Sequence, residues 1–263
     1  MYSDPTPNKS LGQHWLTDSS CLAAMCDAAQ VSTEDVVLEI GPGLGTLTSL
    51  LVQRVRRVTA VEFDEALAQG LPKRVPASNL SVVRSDILRF DLTSLPVSYK
   101  VVANIPYYLT SNLIRVLSES SNPPSVAVLL VQKEVAERVA AKPGDMSVLS
   151  VTAQYYWDVS LGRIVKAELF TPPPKVDSQI LILQRRTRPL FPEVDTKAYF
   201  RIVKAGFAQR RKTLLNSLSG GLHLTRTETE AVLQKAGIVP AQRAQALSLE
   251  QWHTLARAVT HES

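Results

Sequence analysis

Three glycines at alternating positions, Gly41, Gly43 and Gly45, follow one apolar run and precede another. The first run, 36–40, is rich in β-branched residues and predicts a strand, whereas the apolar residues after Gly45 recur at helical spacing. Glycines accept positive φ angles and let a ligand approach the backbone, and a helix start presents free N–H groups. The pattern therefore predicts a loop that binds a nucleotide-like ligand.

The carboxylate Glu62 ends the next apolar run, residues 57–61. An acidic residue about 20 positions after a glycine loop, at the carboxyl end of the following strand, hydrogen-bonds ribose hydroxyls in nucleotide-binding sheets. A solvated loop carboxylate is the plainer alternative. The dinucleotide fingerprint requires glycine where this chain has Thr46, so the pattern disfavours an NAD-linked dehydrogenase.

Five motifs in order resemble one known family. The stretch Glu39 to Thr48 resembles motif I of S-adenosylmethionine-dependent methyltransferases, and Asn104 to Tyr107 resembles their motif IV for amino methylation of nucleic-acid bases. With the segments 9–16, 170–178 and 207–218, the chain resembles the KsgA family of ribosomal RNA adenine dimethyltransferases from about Asn8 to Trp252.

The resemblance implies a fold, a cofactor and a set of contacts. It implies an α/β fold, with a Rossmann-like S-adenosylmethionine-dependent methyltransferase sheet and a small all-helical C-terminal domain. The cofactor is S-adenosylmethionine, and the positions that match its contacts in the family are His14, Leu16, Gly41, Gly43, Gly45, Glu62, Asp86 and Asn104. In the family the arm that carries His14 and Leu16 folds over the cofactor, and the carboxylate at Asp86 accepts from the adenine amino group.

Asn104 and the residues after it could activate an amine. The exocyclic amine of adenine is a poor nucleophile because its lone pair is delocalised into the ring. Two fixed acceptors, the Asn104 side-chain oxygen and, by resemblance, the Ile105 carbonyl, would favour a pyramidal amine whose lone pair points at the sulfonium methyl. The resemblance further implies that Tyr107 and Phe170 contact opposite faces of the target adenine, which must leave its helix.

Plainer roles stay open for several of these residues. His14 could be a loop histidine with a structural hydrogen bond, Asp86 an ordinary turn residue, and Phe170 a hydrophobic plug. The two cysteines, Cys21 and Cys26, are five positions apart on a predicted helix, which suits neither a disulfide nor a zinc site. We expect reduced packing cysteines and no metal.

The composition is that of a soluble globular protein, with 45% hydrophobic and 20% charged residues. Its 29 Lys and Arg against 24 acidic residues give a net charge of +5, by itself a modest indication of a polyanionic partner. No apolar run approaches the roughly 20 residues that span a bilayer, and the N-terminus has no apolar signal segment. We expect a cytoplasmic monomer with no membrane partner; by resemblance, its partner is 16S rRNA in the assembling small ribosomal subunit.

The elements that position these residues alternate between strand and helix. Strands are predicted at 36–40, 58–62, 80–84, 100–103 and 125–132, with the last strands near 159–166 and 179–183. Such alternation implies a parallel sheet covered on both faces, whose carboxyl edge collects the candidate residues. Beyond Arg188 the pattern is helical, so we predict a catalytic domain at 1–188 and a helical domain at 189–263 that binds rRNA or the subunit.

One helix is predicted to run through Phe207 and Leu218. At 100° per residue, Phe207, Leu214, Leu215 and Leu218 share a face, and Arg211 falls inside that arc with Arg210 at its edge. Lys204 and Lys212 lie outside the apolar stripes and are the better candidates for phosphate contacts; the alternative is that each is a solvated charge. The glycine pair Gly220 and Gly221 is predicted to end this helix.

The function these features favour is transfer of methyl groups from S-adenosylmethionine to N6 of two neighbouring adenines near the 3′ end of small-subunit rRNA. An Erm-type enzyme, which modifies 23S rRNA and confers macrolide resistance, is a rival; the basic segment Arg210 to Thr213 favours the small-subunit type. A DNA adenine methyltransferase is disfavoured because Asn104 to Tyr107 differs from the usual Asp-Pro-Pro-Tyr form. A ribosome-assembly factor with secondary catalysis is the alternative from another class.

Overall fold

The computed structural model describes residue 7 and residues 11–188, 190–209 and 211–260. Lys9 and Ser10 of the first motif, Pro189 and Arg210 therefore lie outside the described residues. Within the described part, the strands are β1 (Trp15–Leu16), β2 (Val36–Ile40), β3 (Arg57–Glu62), β4 (Leu80–Arg84), β5 (Lys100–Asn104), β6 (Val126–Gln132), β7 (Trp157–Val165), β8 (Phe170–Thr171) and β9 (Ser178–Arg185). The five predicted parallel strands are all present, with ends within one residue of the prediction.

The main sheet has the strand order β4-β3-β2-β5-β6-β9-β7. Strands β4, β3, β2, β5 and β6 pair in parallel, and β9 pairs antiparallel with β6. All five residues of β2 are buried, as expected for a parallel strand covered on both faces. Chain order reverses at β2, so a crevice opens beyond its carboxyl end between β2 and β5, the position where open α/β sheets bind ligands.

The α-helices within the described residues are α1 (Ser19–Ala28), α2 (Thr46–Leu51), α3 (Glu65–Arg74), α4 (Thr110–Glu119), α5 (Lys133–Val139), α6 (Val148–Tyr156), α7 (Thr196–Phe207), α8 (Leu214–Leu222), α9 (Arg226–Lys235) and α10 (Leu249–Thr260). Asp18 caps α1, because its side chain accepts from the Cys21 N–H at 2.8 Å. None of these helices is long and apolar enough to cross a membrane.

Contacts between Cα atoms divide the chain into two compact units. Unit 1 comprises 1–136 and 158–185, and unit 2 comprises 137–157 and 186–263. This division differs from the contiguous domains predicted at 1–188 and 189–263, because the segment that carries α6 belongs with the C-terminal helices. The physical reason is aromatic packing: the Tyr155 ring lies 4.9 Å from Tyr199 and 5.2 Å from Phe200, measured between centroids.

Two glycines let the helices of unit 2 pack closely. A Cβ on Gly206 would lie 2.4 Å from the Trp252 ring, and a Cβ on Gly221 would lie 2.7 Å from the Ala205 Cβ. Both glycines are therefore positions of close approach. The prediction that Gly220 and Gly221 end their helix is wrong, since α8 continues to Leu222 and ends at His223, which has a φ of 58°.

The prediction of one helix through Phe207 and Leu218 is also wrong. Helix α7 ends at Phe207, and α8 begins at Leu214 with Thr213 as its N-cap. The helical phase between the two helices is lost, so Arg211 is exposed and lies on no buried face. Lys204 and Lys212 are exposed, as predicted.

Candidate functional site

A cavity of about 280 Å³ lies in unit 1 at the carboxyl ends of β2, β3, β4 and β5. Its volume is near the lower end of pockets that hold small organic ligands. The candidate residues that line it come from five segments of the chain and are His14, Leu16, Gly41, Gly43, Glu62, Asp86, Asn104, Ile105 and Tyr107. Gly45 and Phe170 do not line this cavity.

The glycine loop has the backbone conformation that its sequence predicted. Gly43 and Gly45 have φ angles of 57° and 90°, which L side chains rarely adopt. A Cβ at Gly45 would lie 2.7 Å from Leu71 and 2.8 Å from Val75, so Gly45 is required for packing against α3. A Cβ at Gly43 would lie 3.2 Å from the Trp15 ring, so Gly43 lets that ring lie against the loop.

The Glu62 side chain holds the glycine loop and is not a solvated loop carboxylate. It is 6% exposed, and its two oxygens accept from the Gly43 N–H at 3.1 Å and from the Asp64 N–H at 2.9 Å. Burial raises the pKa of this carboxyl, while the two N–H donors oppose the rise. A second carboxyl, Glu39, is 1% exposed, and burial raises its pKa to about 8.

Asn104 is oriented by the segment that contains His14. The Asn104 Nδ2 donates to the His14 carbonyl at 3.2 Å, which leaves the Asn104 Oδ1 available as an acceptor. The His14 ring in turn bonds through Nδ1 to the Pro172 carbonyl at 2.7 Å. His14 therefore makes the structural hydrogen bond that was one of its two possible roles, and it also lines the cavity. Its ring and its carbonyl together link three segments that are far apart in sequence.

Tyr107 is held at both its ring and its hydroxyl. Its ring lies nearly parallel to that of His14, with centroids 5.9 Å apart and 21° between the planes. Its hydroxyl pairs with the Ser178 hydroxyl at 2.8 Å, and Ser178 is fully buried. Burial raises the pKa of Tyr107, so the phenol stays neutral at physiological pH. These contacts fix the tyrosine ring at the wall of the cavity.

The position of Asp86 is compatible with both of its possible roles, a turn residue and a contact to the cofactor. Its Oδ1 accepts from the Leu88 N–H at 3.0 Å, as a turn residue does, and the residue also lines the cavity after β4. The second carboxylate oxygen has no hydrogen bond to any of the described residues. Asp86 can therefore support its own turn and still accept from a ligand.

Phe170 lies in the hydrophobic core and outside the cavity. It is 2% exposed and belongs to the cluster that contains Leu16 and Val165. Its strand β8 pairs with β1, with Leu16 opposite Phe170. The ring offers no face to a base in this conformation, so the structure supports the hydrophobic plug that was the alternative to base stacking.

Sequence reasoning missed three residues of this site. The Glu39 Oε2 and the Trp15 Nε1 are buried at the cavity and have no hydrogen-bond partner among the described residues. Ser178 is the last residue of the motif 170–178, but nothing in the sequence pattern indicated that it would pair with Tyr107. Glu39 could have been found, because a carboxylate inside an apolar strand must have a partner or a raised pKa.

The cysteines behave as packing residues. Cys21 and Cys26 are both free and buried, and burial raises the pKa of the Cys26 thiol to about 11. No group of three or more His, Cys, Asp or Glu side chains within the described ranges could hold a metal ion.

Comparisons with known proteins agree with these motifs. The sequence profile of the family described as ribosomal RNA adenine dimethylase matches residues 5–261. Ribosomal RNA small subunit methyltransferase A from Dehalococcoides mccartyi is 40% identical over 256 residues, which cover 96% of this chain and 88% of the relative. The protein of the same name from Bacillus mycoides is 38% identical, over 95% of this chain and 90% of the relative.

Solved structures support the same assignment. A dimethyladenosine transferase from Plasmodium falciparum superposes with a TM-score of 0.77 at 26% identity, over 92% of this chain and 96% of that one. The 23S rRNA methyltransferase ErmE superposes with a TM-score of 0.73 at 30% identity, over 94% and 99%. The predicted α/β methyltransferase fold is confirmed. With a profile that matches nearly the whole chain and relatives about 40% identical to it, the protein belongs to the ribosomal RNA adenine dimethylase family of S-adenosylmethionine-dependent methyltransferases, as its motifs predicted.

Proposed function

We propose that this protein transfers methyl groups from S-adenosylmethionine to N6 of two neighbouring adenines near the 3′ end of 16S rRNA, and methylates each of them twice. It acts as a monomer in the cytoplasm on the assembling small subunit, and it needs no membrane. The observation that carries the proposal is that Asn104 and Tyr107 line the same cavity as the glycine loop and Glu62. An acceptor for the amine and a nucleotide-binding loop therefore meet at one site.

The cavity suits a cationic nucleoside cofactor. The carboxylates of Glu62 and Asp86 line it. Glu39 also lines it; burial raises its pKa to about 8, so near neutral pH it adds a carboxyl group whose Oε2 has no partner among the described residues, and not a negative charge. Glu62 would bind the ribose hydroxyls, and the free oxygen of Asp86 would accept from the adenine amino group. When bound, S-adenosylmethionine supplies an electrophilic methyl group on a sulfonium centre. The backbone of Gly41 and Gly43, with Leu16, would border the cofactor.

The target amine would be held by acceptors on one short segment. The Asn104 Oδ1 and the Ile105 carbonyl would each accept a hydrogen bond from one of the two amine hydrogens. This geometry favours an amine lone pair directed at the methyl group. His14 positions Asn104 by accepting its Nδ2–H at 3.2 Å. Tyr107 offers an aromatic surface for the flipped base. No strong general base is needed, because the amine becomes acidic as it is alkylated.

Sequence identity to known proteins favours the small subunit over the large one as the substrate, whereas structural similarity does not distinguish them. ErmE superposes almost as well as the dimethyladenosine transferase, with TM-scores of 0.73 and 0.77. Identity to relatives named for the small subunit is 38–40%, against 30% for ErmE. The test is methyl transfer from labelled cofactor to unmethylated small and large subunits. We expect label in the small subunit; label in the large subunit alone would establish the Erm-type activity instead.

Replacing Glu62 with alanine should weaken S-adenosylmethionine binding by roughly 1–3 kcal/mol, because charge-assisted hydrogen bonds to the ribose are lost. The Gly43 N–H also loses its acceptor, so part of the effect would come from a looser glycine loop. The measurement is titration calorimetry. Glu65→Ala is the matched control, since Glu65 is exposed and pairs with Arg84 on the surface. Unchanged affinity in folded Glu62→Ala would exclude Glu62 from the binding site.

Replacing Tyr107 with alanine should cost on the order of 1–3 kcal/mol in RNA-dependent activity if the ring stacks on the adenine. Tyr107→Phe keeps the ring but leaves the buried Ser178 hydroxyl without this partner, so we expect a smaller loss. Ser178→Ala should produce a similar small loss. Single-turnover methylation rates compare the three variants. A loss of rate in Tyr107→Phe as large as in Tyr107→Ala would show that activity depends on the hydroxyl and not on stacking by the ring.

A further inference from the structure

The charge of the protein is distributed unequally between its two units. Unit 1 carries 15 Lys and Arg against 16 acidic residues, whereas unit 2 carries 14 against 8. The net positive charge of the whole chain therefore resides in unit 2. A polyanion that meets the protein would be attracted mainly by this smaller unit.

The exposed face of α7 concentrates part of that charge. Lys197, Arg201 and Lys204 recur at positions i, i+4 and i+7, so they lie within about 60° of arc and span about 10 Å of the helix. All three are exposed, while the opposite face buries Tyr199, Ile202 and Val203. We call these three cations the α7 stripe.

Helix stability does not account for the stripe. Lys204 lies in the last turn, where a cation interacts favourably with the helix dipole. Lys197, however, is the second residue of α7, immediately after the N-cap Asp195 and Thr196, where a cation is unfavourable. Since its sign opposes the dipole, the helix dipole does not explain the charge of Lys197.

The stripe also lacks neutralising carboxylates. No ion pair within the described part of the chain involves Lys197, Arg201 or Lys204. Helix α8, which packs on α7, contains no acidic residue, and Asp195 is engaged in capping, with its side chain accepting from the Ala198 N–H at 2.9 Å. On α9, by contrast, Arg226 pairs with Glu230. Helix α10 also packs on α7 and carries Glu250, but no ion pair joins Glu250 to the stripe among the described residues. The α7 stripe is thus a row of cations that have no ion-pair partner in the described part of the chain.

We infer that the α7 stripe binds consecutive phosphates of the RNA backbone. Phosphates are the ligands that such a row fits, because they repeat along a strand at a few ångströms and release counterions when Lys and Arg neutralise them. The contact would add affinity and orient unit 2 without reading sequence. This inference rests on the proposed function, since it assumes an RNA substrate.

The test is the salt dependence of binding to unmethylated small subunits and to protein-free small-subunit RNA. The triple variant Lys197→Ala, Arg201→Ala, Lys204→Ala should lower the slope of log affinity against log salt by about 2 to 3 units on both ligands. Its melting temperature should stay close to that of the wild type, because all three side chains are exposed. Arg226→Ala is the matched control in the same unit and should leave the slope unchanged.

Two results would overturn the inference. A slope unchanged in the triple variant would remove α7 from the RNA contact. A slope lowered on subunits but not on protein-free RNA would assign the stripe to an acidic ribosomal protein. Failure of the proposed function has a different signature, because wild-type protein would then leave small subunits unmethylated whatever the slope of its binding.

Discussion

Replacing Asn104 with alanine should abolish most methyl transfer while leaving S-adenosylmethionine binding largely intact. The Asn104 Oδ1 is the acceptor that we assign to the amine in the transition state, and interactions made only there affect the rate and not the binding of the cofactor. Loss of one fixed hydrogen-bonding group of this kind costs on the order of 10²–10³ in kcat. The measurement is the single-turnover rate at saturating cofactor, together with calorimetry.

The control for this experiment is Asn112→Ala. Asn112 is exposed on α4 and does not line the cavity, so its replacement should change neither rate nor affinity. Because Asn104 also donates to the His14 carbonyl, the melting temperature of Asn104→Ala should be recorded. A folded Asn104→Ala variant whose rate stays within a few-fold of wild type would refute the assigned mechanism.

Replacing Phe170 with alanine should destabilise unit 1 by about 3–5 kcal/mol, because it leaves a cavity in a packed core. The ring is 2% exposed and packs in the cluster with Leu16, which itself lines the ligand cavity. Loss of activity in this variant would therefore follow from loss of folded protein. Denaturant unfolding measures the effect.

The control for the stability measurement is Phe63→Ala, since Phe63 is 60% exposed and its loss should cost little stability. It does not serve as a control for methylation, because Phe63 lines the ligand cavity. Wild-type stability of Phe170→Ala combined with lost methylation would show that the ring leaves the core to contact the base. That result would restore the role that the motif implied for Phe170 and contradict the buried position.

The sheet was predictable because its strands depend on local signals. The apolar runs from Val36 to Gln132 are each bounded by turn residues, and their order in the chain fixes a parallel sheet with its ligand edge. The short pairing of β1 with β8 could not be predicted. Each strand has only two residues, and the paired residues Leu16 and Phe170 are far apart in the sequence.

The clustering of most candidate residues around one cavity was predictable, but their contacts were not. Motif spacing and the family resemblance predicted the glycine loop, Glu62, Asp86 and Asn104 as candidates, and all of them lie at or just after the ends of predicted strands. The link from Asn104 through His14 to Pro172 depends on three distant segments, so no local pattern carries it. The same limit explains the errors in unit 2. Periodicity joined α7 to α8, although the described residues between them, 208, 209 and 211–213, contain no helix.

Mass-spectrometric mapping of the modified bases decides whether the protein dimethylates two adjacent adenines in small-subunit rRNA. Unmethylated small and large subunits are incubated with the protein and S-adenosylmethionine, and their RNA is then digested and sequenced by mass. We predict N6,N6-dimethyladenine at two neighbouring positions near the 3′ end of 16S rRNA, absent when Asn104→Ala replaces the wild type. Methylated adenine in 23S rRNA alone, or at no position in either RNA, would refute the proposed function.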